Sequence, residues 1–145
     1  MPNIEVNMIA VLVAVVATFF LGFIWYTPLF GKIWAREMGM DQNEKPKTGQ
    51  MIKGMVIMVI GNFLMAFVLG HDILAYNPVS WGLPPSEASA LSTAGMASFF
   101  TWLGFFLPLD LNSVAWEGKS WTLFAINTSY HLVMLFVASI ILVNM

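Results

Sequence analysis

Four apolar stretches of about twenty residues each, at roughly 7–28, 51–70, 88–109 and 121–143, constrain this chain more than any other feature. An α-helix needs about 20 residues to cross a hydrocarbon core of about 30 Å. Lipid offers a backbone no hydrogen bonds, so a spanning segment must satisfy its own amides by coiling into a helix. The stretches predict an all-α chain, a transmembrane four-helix bundle joined by short connections. Only 10% of its residues are charged, far below the roughly 25% of a soluble domain. The spans use nearly all of the 145 residues, which predicts a single integral membrane domain over 1–145.

Charge sets the direction of the spans. All six basic residues (Lys32, Arg36, Lys45, Lys47, Lys53, Lys119) lie in or beside the first and third gaps. Basic loops stay in the cytoplasm, so those gaps are expected inside, with both termini and the second gap outside. The first span lacks a basic flank on its N-terminal side, so it reads as a permanent anchor rather than a cleaved signal. Trp25, Tyr26, Trp34, Trp116 and Trp121 are expected at the inner headgroup level, and Tyr76 and Trp81 in the outer loop over 71–87.

Much chemistry is excluded. The chain has no cysteine, which removes disulfides, thiolate metal sites and quinone-linked thiol oxidation. No nucleophile–base pair or metal-ligand set is visible, so no catalytic residue, metal or cofactor is assigned. The few basic residues sit at membrane boundaries, which gives no nucleic-acid footprint. His71 and His131 lie at different depths, which rules out bis-histidine haem ligation. A proton-coupled exporter is expected to bury a carboxylate, yet every Asp and Glu reads as lying at a helix end or in a loop.

Along the chain, Ala10, Ala14, Thr18 and Gly22 form a small-residue ridge suited to close helix packing, within the bundle or against a second copy. Pro28 is expected to end the first helix. Residues 32–38 read as an interfacial helix with Ile33, Trp34 and Met38 toward lipid and Lys32, Arg36 and Glu37 toward water. Residues 41–50 read as a polar linker. Met51, Met55, Met58 and Met65 stripe the second span, either as packing filler or as soft ligands for Cu(I).

Polar residues inside spans are costly and tend to face the bundle interior. Counted from the inner helix ends, Thr18, Asn62, Ser98 and His131 all lie ten or eleven residues deep, or about 15 Å. Asn127, Tyr130, His131 and Met134 share one face of the fourth span. This midplane layer is either a titratable or ligand site centred on His131 and oriented by Asn62, Asn127 and Tyr130, or hydrogen-bonding glue between helices.

Two segments resemble a known family, the domain of unknown function 1761. The first is Gly22-Phe-Ile-Trp25-Tyr26, followed by Phe30-Gly31-Lys-Ile-Trp34. The second is Trp116-Glu117-Gly118-Lys119-Ser120, followed by Ile126-Asn127-x-x-Tyr130. Phe is usual in that family where this chain has Trp116, and the position of His131 varies. The resemblance implies a small four-span membrane protein, mostly bacterial and without an assigned activity, placed in the cytoplasmic membrane. It directs attention to an inner rim of Trp25, Tyr26, Gly31, Trp34, Glu117, Gly118 and Lys119. There Glu117 either pairs with Lys32 or Arg36, or helps to cap a helix. The expected function is a non-enzymatic accessory or assembly subunit, or a binder of a lipid-like small molecule. The alternative is a small transporter or channel through the polar layer. The expected partners are the lipid bilayer and a second copy or another membrane protein.

Overall fold

The structure, a computed structural model, describes residues 1–41 and 43–145. Gln42, within the stretch expected to be a linker, lies outside the described residues. The described residues are helical and contain no strand. Four helical segments are long and apolar enough to cross a membrane: Met8–Leu29, Thr48–Ala75, Ala90–Ala115 and Trp121–Asn144.

Helix α1 (Met8–Ile24) starts at Asn7, whose side-chain oxygen accepts the Ile9 amide at 2.9 Å. The helix does not stop at Pro28. It widens into a π-turn over Trp25–Leu29, closed by the Phe30 amide on the Trp25 carbonyl. Proline cannot donate to the carbonyl four residues back, and its ring crowds that carbonyl. Opening the turn by one residue relieves both problems. Helix α2 (Gly31–Glu37) comes directly after Phe30. Gly31 is required there, because a Cβ would lie 2.6 Å from the Tyr26 carbonyl oxygen.

Helix α3 (Thr48–Ala75) has 28 residues, so it runs about 42 Å at 1.5 Å per residue. It continues past Gly70, where Val6 of the N-terminal segment packs close against the backbone. His71 therefore lies within α3, its Nδ1 2.8 Å from the Phe67 carbonyl oxygen, and not in the outer loop as expected. That loop shortens to a 3-10 turn, Pro78–Trp81, and an extended run. The Asn3 amide donates to the Ser80 carbonyl at 2.8 Å, and the Asn7 side chain donates to the Met145 carbonyl at 3.0 Å. Both termini and the second connection thus share one end of the molecule. All six basic residues belong to the other end.

Helix α4 (Ala90–Thr101) is capped by Ser89 and opens into a second π-turn, Trp102–Phe106, just before Pro108. Helix α5 (Leu107–Ala115) carries the same span onward. Helix α6 (Trp121–Asn144) is central, with α1, α3 and α4 all packed on it. The ridge of Ala10, Ala14, Thr18 and Gly22 is buried within this one chain, beside Val11, Ala66, Leu135 and Ala138. Leu12, Val16, Phe20, Ile57, Leu64 and Phe105 face outward, as bilayer-facing positions do.

Candidate functional site

Between α1, α3 and α6 lies a groove of about 600 Å³. The stripe of Met51, Met55, Met58 and Met65 forms its α3 wall, and Met134 of α6 joins them. The α1 wall is Phe19, Gly22 and Phe23, leading into Tyr26 and Thr27 of the π-turn. Gly22 keeps the walls close together, since a Cβ there would run into the Met58 methyl and the Tyr130 hydroxyl. Asn62, Tyr130 and His131 are the polar part of the lining at mid-span.

His131 has a carboxylate partner that sequence reasoning missed. Its Nδ1 lies 2.8 Å from Asp110 Oδ2, with side-chain exposures of 26% and 13%. Asp110 sits in the first turn of α5, inside the third span and not in the loop that follows it. The extra residue of the π-turn at Trp102–Phe106 rotates the remainder of the span by about 100° relative to an unbroken helix. Sequence reasoning missed Asp110 because it ended the span at Leu109, whereas the helix runs on to Ala115. Pro108 was the available signal, because proline is tolerated in the first turn of a helix and so marks a restart there. The Phe106 ring also packs on His131, 5.0 Å between centroids.

The midplane layer is only partly one site. Asn62, Tyr130 and His131 meet in the groove. Thr18 and Ser98 are buried but do not line it, and each hydroxyl bonds back to its own helix, on Ala14 and Gly95. Asn127 is used in a different way, its oxygen accepting the Tyr26 hydroxyl at 3.0 Å. The Asn62 Nδ2 is buried with no hydrogen-bond partner among the described residues.

At the inner rim, Glu117 differs from expectation in its partner. Trp25 and Tyr26 turn inward and bolt α1 to α6. The Trp25 indole donates to the Ile126 carbonyl at 3.1 Å, and both rings pack against Tyr130, Trp25 tilted and Tyr26 edge-on. Trp34 packs on Tyr26, 5.6 Å between centroids, and is half-buried. At this end of the molecule Trp116 and Trp121 are the exposed indoles among the described residues. Glu117 is paired with Lys119 at 2.8 Å across Gly118, whose φ of +67° suits glycine. The cap of α6 is Ser120, which accepts the Leu123 amide and donates its own proton to Glu37. That bond, and then Arg36 beside it, hold the Glu37 carboxyl below its ordinary range. Among the described residues no three His, Cys, Asp or Glu side chains cluster to hold a metal ion.

The model of a family described as "Protein of unknown function (DUF1761)" matches residues 9–143, nearly the whole chain. The chain belongs to this family. No curated protein and no solved structure matches it. Both segments that carried the resemblance fall inside the matched region. In this DUF1761 chain they are brought together around α6, where Trp25 and Tyr26 reach Ile126 and Asn127.

Proposed function

We propose that this four-span DUF1761 protein is a non-enzymatic membrane protein that holds a lipid-like small molecule in the groove between α1, α3 and α6. The groove's lining carries the reading. Its volume of about 600 Å³ lies within the range of small-molecule sites. Five methionines line it, and flexible, polarisable thioethers adapt to a chain-like apolar ligand. Phe23, Met51 and Met55 are exposed at its rim, on a surface that acyl chains would otherwise cover. Native mass spectrometry of protein taken from its own membranes tests the reading. One apolar molecule per chain should co-purify, and a chain always free of adducts contradicts it.

One observation favours a second reading, a small proton-linked transporter. The Asp110–His131 pair lies within two membrane-spanning segments, and ionisable groups at such depth often mark relays. That reading requires pH-driven flux in proteoliposomes that is lost in His131→Ala. In either case we place both termini outside and the basic end in the cytoplasm, following the segregation of lysine and arginine.

A further inference from the structure

We infer that the groove takes an amphiphile with an uncharged, carbonyl-bearing head, and that Asn62 and His131 hold this head. The inference rests on the reading of the groove as a ligand site. Asn62 is only 7% exposed and lines the groove, and its Nδ2 has no acceptor among the described residues. A buried amide donor left unpaired is unfavourable, and an oxygen on the occupant supplies the missing partner. Carbonyl, carboxylate and phosphate oxygens all meet that requirement.

Charge separates them. No lysine or arginine lines the groove. The carboxylate nearest its polar end is Asp110, 2.8 Å behind His131. An anionic head would leave water for a site with no lysine or arginine in its lining and a carboxylate close by, which is costly in a low-dielectric setting. A neutral carbonyl meets neither obstacle. With Nδ1 taken up by Asp110, the second ring nitrogen of His131 is the one left for the occupant. When Nδ1 carries the proton, that nitrogen accepts from a hydroxyl. A lipid-soluble quinone with its quinol form, or a diacylglycerol, offers both a carbonyl and a hydroxyl on an apolar tail. The tail then runs along Met58, Met55 and Met51 toward the inner end.

Thermal-shift titration of the purified full chain in detergent tests this with three probes: a decyl-substituted benzoquinone, a short-chain diacylglycerol, and the matching phosphatidic acid. At least one neutral probe should raise the melting temperature saturably, and the comparison of the two tells which source of the carbonyl is preferred. Phosphatidic acid should bind at least about tenfold more weakly, and Asn62→Leu should weaken the neutral probe by about tenfold, the scale of one buried hydrogen bond. If Asn62→Leu does not fold, Asn62→Asp, which exchanges the donor for an acceptor, should weaken it at least as much. Equal binding of phosphatidic acid overturns the head assignment and leaves the groove in place, as does unchanged affinity in the folded Asn62 variant. Failure of every probe, with no adduct on the native protein, removes the ligand site itself.

Discussion

Asp110 and His131 lie where neither would be stable alone. A lone charge at such a depth is costly, whereas the paired groups satisfy one another. Replacing either by Leu should cost about 1–3 kcal/mol because a half-buried polar partner is left unpaired. The double replacement should cost less than the sum, with a coupling of about 0.5–3 kcal/mol. Reversible unfolding in mixed micelles measures this, and strictly additive losses would show that the two residues do not act as a pair. The same distinction explains which polar residues were legible in the sequence. Asn62, Tyr130 and His131 announce themselves as polar groups in an apolar run, and they do converge on the groove. Thr18 and Ser98 gave the same signal for a different reason. A hydroxyl can be satisfied by a carbonyl of its own helix, as these two are, and so it needs no site. The Asn62 nitrogen has no such bond among the described residues, and His131 turns to Asp110 instead.

At the scale of elements, prolines accompany both departures from regular helix. Pro28 lies inside the first π-turn and Pro108 just after the second. Each turn aims aromatic side chains at α6: Trp25 at the Ile126 carbonyl, Trp102 at Thr128. The helices themselves were readable from apolar length, but a one-residue insertion was not, because it changes phase without changing composition. Apolar length likewise gave no sign that Trp25 and Tyr26 clamp α1 to α6. Helix α2 shows a related limit, since its Glu37 was expected in water and is tied to Ser120. The Glu37 carboxyl is held below its ordinary value of 4.5 in the folded chain. A depressed pKa makes this contact's contribution full above that ordinary value, and the contribution fades as pH falls through the lowered one. The melting-temperature gap between wild type and Glu37→Gln should therefore shrink toward zero well below pH 4.5. A gap independent of pH would mean that the carboxylate is not what docks α2.

At the scale of the molecule, hydrogen bonds bring both termini and the second connection to one end, and the six basic residues belong to the other. With no native cysteine, Thr48→Cys and Asn77→Cys can be labelled singly by an impermeant reagent. Asn77→Cys should react from outside and Thr48→Cys only after the membrane is opened. External labelling of Thr48→Cys would invert the orientation. The number of spans could be read from the sequence, but the groove could not. It depends on where α3 stands relative to α1 and α6, and a methionine stripe reads equally well as core filler until that spacing is known. The central claim is that this groove holds a ligand, and one comparison reaches it most directly. Met55→Trp puts an indole into the groove at a rim position where the side chain is exposed, so folding should survive. Native mass spectrometry of wild type and Met55→Trp from the same membranes should show one apolar adduct on the former and its loss from the latter, at unchanged melting temperature. An adduct retained at full occupancy by folded Met55→Trp would contradict the account.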